Sequence, residues 1–504
     1  MTGSWLVPLP VVLPLCGAGL TLALYRRPRV QRVVSVVTLS LVLAISAVLL
    51  VLADGGPRVI DIGGWAAPVG IDLVADRLSA LMLTVSAAVV LCVLIYSLAQ
   101  GLAGEKDAPI SVFHPTYLIL MAGVADAFLS GDLFNIYVGF EILLAASYVL
   151  ITLGGTRERL RAGSIYVVVA LISSVLFLAA IAAIYAATGT LNLAQLALRL
   201  GEIDPHVRLV LQVMLLVAFA TKAAIFPLSA WLPDSYPTAP APVTAVFAGL
   251  LTKVGIYAMI RTQSLLFPGG QLTTWLMVVA LATMVVGILG AVAQDDVKRL
   301  LSFTLVSHIG FLVFGLALGT DAGWSAAIFY VMHHIIVQTA LFLVVGLVEQ
   351  YGGTLSLSRL GGLARSAPVL AVLFFVPAMN LAGIPPLSGF LGKLGLIEAG
   401  VAVGTPLAWV VVAGSVLTSL LTLYALIRAW NKAFWQEPPA PLPHRRVPRG
   451  MIGATAALVG LSLALTAAAG PLYGYTQRAA VALRERTPYI TAVLPDQSPS
   501  EAQP

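Results

Sequence analysis

Glu141, Lys222, Lys253, His308 and Lys393, with His333 and His334 beside them, are the residues of this 504-residue chain whose types and positions suit the movement of protons. Glu141 lies next to the midpoint of the apolar run 131–154, Lys253 next to that of 243–262, and His308 next to that of 299–319. His333 and His334 centre 322–348, Lys222 is well inside 207–232, and Lys393 follows a break within 368–403. A charge at a bilayer centre costs about 2.5 to 3.5 kcal/mol on insertion scales, so such residues face a protein interior or a hydrated path. One isolated case is equally well explained by a packing hydrogen bond between helices. Two kinds of base and one acid recurring at one depth in six runs favour a relay. Loss of hydration favours a neutral amine and a nearby carboxylate favours the ammonium, so a lysine in such a place can exchange a proton near neutral pH. Lysines and histidines linked by water would pass a proton laterally, with Glu141 as an electrostatic switch on one of the lysines.

Other acids have simpler readings. Asp132, in "SGDLFN", stands where an N-cap is expected. Asp126, Glu349 and Glu398 lie nearer the ends of their runs, Asp126 as a candidate lining of an entry route, while Asp295 and Asp296 in "QDDVKR" read as a solvated loop.

The elements that must position these groups are membrane helices. The chain is 59% hydrophobic and 10% charged, with a mean hydropathy of +0.98, against roughly 25% charged in a soluble domain. Fourteen apolar runs, near 5–24, 33–53, 77–103, 114–129, 131–154, 164–187, 207–232, 243–262, 271–292, 299–319, 322–348, 368–403, 405–428 and 450–470, are mostly long enough to span a bilayer. The reading is an all-α polytopic membrane protein. Its net charge of +6 does not indicate nucleic acid, because 17 of the 28 basic residues, Lys106 among them, gather in loops on one face and eight on the other. By the positive-inside rule both termini are then outside. The remaining three are Lys222, Lys253 and Lys393. The N-terminal run has no basic stretch before it, which argues against a cleaved signal, and Cys16 and Cys92 fall in apolar runs without metal or disulfide spacing.

Pro227 and Pro233 interrupt the seventh run, and "NLAGIPPLSGFLGK" puts Pro385 and Pro386 in the twelfth. Helix breaks at membrane depth are tolerated where freed backbone groups face protein or water, and matched breaks in two halves point to a transport site. Grouped as runs 4–8 and 9–13, the chain gives two inverted five-helix repeats with the broken helix fourth in each. Each broken helix carries a lysine, Lys222 or Lys393, and the second helix of each unit carries Glu141 or His308. The expected organisation is a three-helix segment at 1–113, repeats at 114–262 and 263–430, and a basic loop, final helix and tail at 431–504.

"TKAAIFPLSAWLPDSYPTAPAPVTAVFAGLLTKVGIYAMIR" at 221–261 resembles the signature of the antiporter-like membrane subunits shared by respiratory complex I, membrane-bound hydrogenases and the Mrp multisubunit cation/proton antiporters. "DLFNIYVGFEILLAASYVLI", "DDVKRLLSFTLVSHIGF" and "GIPPLSGFLGKLGLIEAG" resemble further blocks, so the likeness runs from about residue 70 to 435, and it is greatest to the D-subunit branch of the Mrp group. It implies an essential glutamate at Glu141, a lysine before the first break at Lys222, a bridging lysine at Lys253, a histidine at His308 and a terminal lysine at Lys393. One departure is Gln338, where many relatives have lysine; His333 and His334, one turn earlier, are the substitutes available.

The expected function is therefore a proton-conducting subunit of a monovalent cation (Na+ or K+)/proton antiporter, inactive alone and working with other subunits in the bacterial cell membrane. No nucleotide loop, flavin motif or iron–sulfur cysteine set is present, so no cofactor is expected in this chain. The main alternative is a proton-pumping subunit of a quinone oxidoreductase or hydrogenase complex. A solitary solute carrier and a passive scaffold are further alternatives; the first predicts activity of the single chain, the second indifference of exchange to Lys222→Ala.

Overall fold

The computed structural model describes residues 3–65, 69–101, 110–443 and 445–495; Lys106, counted above among the basic loops, lies outside them. Among the described residues thirteen helices are long and apolar enough to cross a membrane, from Ser4–Ala23 to Arg449–Ala467. The twelfth apolar run holds two shorter helices in series, Pro368–Ala382 and Ser388–Val403. The helices of the eighth, tenth and eleventh runs, Ala241–Leu265, Val297–Leu318 and Asp321–Gly352, are buried along almost their whole length, whereas Pro28–Asp54, Arg157–Thr188 and Thr273–Val292 expose most of theirs. A helix that is apolar all round is stable only when surrounded. The three buried helices form the axis that carries Lys253, His308, His333 and His334.

The seventh run breaks earlier than its prolines. Helix Pro205–Ala223 ends where Ala224 turns left-handed at φ 57°, with the N–H of Ile225 donating to the Ala220 carbonyl at 3.0 Å. Past this point Pro227 has no N–H with which to resume the ladder. The freed groups find partners within the protein, as apolar surroundings require. Thr283 Oγ1 accepts from the Phe226 N–H at 3.2 Å, and Trp231 Nε1 donates to the Thr221 carbonyl at 3.2 Å. In the twelfth run, Gly383 ends the first helix at φ 88° and the chain re-enters a helix at Ser388. Asn380 bridges this gap, its Oδ1 accepting from the Gly389 N–H at 2.8 Å and from Ser388 Oγ at 3.2 Å. Gly389 is obligatory there, since a Cβ would stand 1.9 Å from the Asn380 carbonyl.

Three findings depart from the expectations. Residues 58–61 and 72–75 form an antiparallel pair, β1 (Arg58–Asp61) and β2 (Asp72–Ala75), with Asp61 opposite Asp72, a short element not anticipated from the sequence within the all-α class. The expected C-terminal tail instead contains helices Ala469–Glu485 and Thr487–Val493. Its charges hold the first of them down: Arg478 pairs with Asp54 at 2.8 Å and Arg484 with Asp321 at 2.7 Å. Third, Asp295 and Asp296 are not merely solvated. Asp296 caps the tenth helix through the Arg299 N–H, and Asp295 accepts from Ser356 and Ser358 at 2.6 and 2.9 Å.

Candidate functional site

Lys222 occupies the last turn of its helix, where the negative end of the helix dipole favours a cation. That turn lies against the eighth helix at Gly255, where even a Cβ would come within 3.0 Å of the Ala223 nitrogen. The ammonium sits 4.8 Å above the ring of Phe140 and donates to Ser174 Oγ at 3.1 Å. Ser174 in turn donates to Glu141 Oε1. The expected Glu141–Lys222 pair is thus joined through a hydroxyl on a third helix, Arg157–Thr188. Beside Lys222 is a cavity of about 20 Å³, lined by Phe140, Tyr166, Trp231, Tyr236 and Leu251, enough for a water molecule.

Lys253 is fully buried two residues beyond a π turn, Phe247–Leu251, and donates back to the Ala248 carbonyl inside it. Such turns arise where the regular ladder loosens and expose carbonyls to other donors. Lys253 is not hydrogen-bonded to Lys222 or to either histidine helix.

The second cluster is aromatic. His308 and His334 stack at 5.3 Å between ring centroids and 11° between planes. His308 Nδ1 and the Tyr330 hydroxyl are 2.6 Å apart, and the Tyr330 ring stacks on His333 at 5.2 Å. His333 Nδ1 reaches Ser388 Oγ at 3.0 Å, which ties it to the second break. Neither ring nitrogen of His334 has a hydrogen-bond partner among the described residues, nor has His308 Nε2 or His333 Nε2. Lys393 donates to the carbonyls of Leu381 and Ala382 at 3.1 and 3.0 Å and lies 5.0 Å from the ring of Phe311.

The structure therefore gathers the expected residues into two groups, Glu141 with Lys222 and His308 with His333, His334 and Lys393, while Lys253 is hydrogen-bonded to neither. Gln338 takes no part by hydrogen bonding in either group; its Nε2 donates to the Leu301 carbonyl at 2.9 Å. Ser174, Tyr330, Ser388 and Asn380 were not singled out from the sequence. The signal for Tyr330 was its spacing, three and four residues before the two histidines; Ser174 showed only as half of a serine pair in the middle of an apolar run. Asp132 caps the fifth helix, accepting from the N–H groups of Phe134 and Asn135 at 2.7 and 3.1 Å, and Asp126 accepts from Asn135 Nδ2 at 3.1 Å. Glu349 pairs with Lys298 at 2.8 Å, and Glu398 is exposed.

Residues 130–421 match the model of the NADH:quinone oxidoreductase/Mrp antiporter transmembrane family. The D subunit of a Na(+)/H(+) antiporter from Alkalihalophilus pseudofirmus is 41% identical over 494 residues, covering 97% of this chain and 99% of that one. Its counterpart from Bacillus subtilis is 38% identical over 496 residues, with the same coverage of 97% and 99%. Among solved structures, a chain of the Mrp complex from a Dietzia species superposes with a TM-score of 0.92 at 35% identity, covering 98% of this chain and 100% of that chain. A chain of Thermus thermophilus respiratory complex I with bound NADH gives 0.82 at 25% identity, covering 95% and 99%.

Proposed function

The chain belongs to the NADH:quinone oxidoreductase/Mrp antiporter family of membrane subunits, and from that premise we propose that it is the D-type, proton-translocating subunit of a multisubunit Na+(K+)/H+ antiporter. The observation that carries the mechanism is a buried lysine at each of two helix breaks, each within hydrogen-bond reach of a group outside its own helix. Protons enter one half-channel at Glu141 and Lys222, pass by way of Lys253 to His308, and leave by Lys393, with His333 and His334 as secondary bases. The half-channels are the inverted units 114–262 and 263–430. A lysine can serve here because it holds a proton as a compact charge on a flexible stem and gives it up when its surroundings change. The basic loops face the cytoplasm and both termini lie outside, in a bacterial cell membrane. Other subunits complete the cation path.

The test is cation-dependent dequenching of a pH dye in everted vesicles containing the whole assembly. Exchange driven by a pH gradient alone, abolished by Lys222→Ala in a complex that still co-purifies with its partners, is the expected result. Native exchange by the assembled Lys222→Ala complex would overturn the relay. Acidification that needs an electron donor would transfer the chain to the redox-driven pumps.

A further inference from the structure

We infer that Ser174 is a member of the relay in its own right, carrying the proton between Lys222 and Glu141. The inference rests on the proton-relay reading above. A carboxylate can only accept and an ammonium can only donate, whereas a hydroxyl does both at once. The observed arrangement, Lys222 Nζ to Ser174 Oγ and Ser174 Oγ to Glu141 Oε1, is therefore the one orientation a hydroxyl can take between two ionised groups. It is also the starting geometry of a transfer. As an N–H proton of Lys222 moves to Oγ, the hydroxyl proton of Ser174 moves to Glu141 Oε1. One N–H and one O–H bond break, two O–H bonds form, and the products are a neutral amine, a neutral acid and an intact hydroxyl. The reverse transfer restores the ion pair.

Ser174 is held where this can happen. It is buried on helix Arg157–Thr188, and its neighbour Ser173 donates to the Ala218 carbonyl at 3.0 Å, fastening that helix to the one carrying Lys222. The two adjacent hydroxyls divide the work: Ser173 binds backbone, and Ser174 binds the two charged side chains. Charge transfer between Lys222 and Glu141 then depends on one rotatable O–H, and a water-filled replacement would have to be held as rigidly to do the same.

The experiment compares Ser174→Thr with Ser174→Val in the complete complex, a pair alike in shape that differs by the hydroxyl, with Ser173→Ala and Lys222→Ala alongside. The expected result is that Ser174→Val lowers exchange about tenfold, the worth of a hydrogen bond to a charged group, and displaces its pH profile. Ser174→Thr should keep both rate and profile near native, and Ser173→Ala should keep the native profile. Equal exchange by the Ser174→Thr and Ser174→Val variants, with Lys222→Ala inactive, would overturn the role of Ser174 and leave the relay standing. Native exchange by Lys222→Ala would overturn both.

Discussion

At the first helix break the Thr221 carbonyl accepts from the Ala224 N–H and from the indole of Trp231, and Lys222 is left to engage a hydroxyl and, through it, a carboxylate. At the second, no indole intervenes: Lys393 itself takes the freed carbonyls of Leu381 and Ala382, and the polar side chains nearby are histidines, a tyrosine and a serine. The two breaks therefore do different things with the same amine. Where a neighbour satisfies the backbone, the lysine keeps an ionisable partner and is poised to be discharged by it. Where the lysine satisfies the backbone, releasing its proton also changes what holds the helix end, so proton release there is coupled to the geometry of the break. In the proposed relay the first site would act as a switch and the second as a gate.

The comparison breaks most visibly if the acid at the first site is dispensable. Glu141→Gln keeps an acceptor for Ser174 but cannot take a proton from it, and exchange in the assembled complex should fall by about a hundredfold or more, the scale of a lost acid–base partner. Next, Lys393→Ala should lower exchange by about tenfold or more and also leave two carbonyls uncapped, at a cost of roughly 1–3 kcal/mol each. Unlike Glu141→Gln it should therefore lower the melting temperature of the complex, and equal melting of the two variants would contradict the division between switch and gate. A smaller effect separates the histidines from Gln338. Gln338→Lys gives up one neutral hydrogen bond to Leu301 and should stay within about fivefold of native exchange, whereas His334→Ala, which removes the ring stacked on His308, should fall below it.

The smallest effect lies off the relay, at β1 and β2. Burial, followed by the apposed Asp61, pushes the Asp72 carboxyl up to about 7. An acid whose folded value is raised binds protons more tightly folded than unfolded, so its contribution to stability is greatest in acid and is lost as the pH rises towards that value. Asp72→Asn keeps an acceptor for Asn192 Nδ2, which now donates to Asp72 Oδ2 at 2.6 Å. It should raise the melting temperature by roughly 1–3 °C at pH 8 and hardly at pH 5, as followed by a thermal shift of the purified complex.

The helical class, the apolar runs and the identity of the buried bases were legible in the sequence, because each follows from composition and spacing along one segment, whereas the seventh run breaks at Ala224, ahead of the prolines that marked it. Glu141 and the three lysines stood out because an ionisable residue in an apolar run has no local explanation. The carriers between them did not stand out. A serine in a membrane helix usually bonds its own backbone, as Ser97 does to the Val93 carbonyl, and Ser174 differs only in what two other helices bring to it. The helix Ala469–Glu485 was missed for the same reason, since its arginines are matched to Asp54 and Asp321, far away along the chain.

By itself, then, the sequence determined which atoms can hold a proton and how deep they lie, since both are properties of side-chain type and of position along a run of fixed rise. Which of those atoms touch, and whether a lysine spends its hydrogen bonds on backbone or on a partner, was decided only by the packing of separate helices. A hydrogen bond extends about 3 Å, and nothing along a single segment records what a neighbouring helix places at that distance.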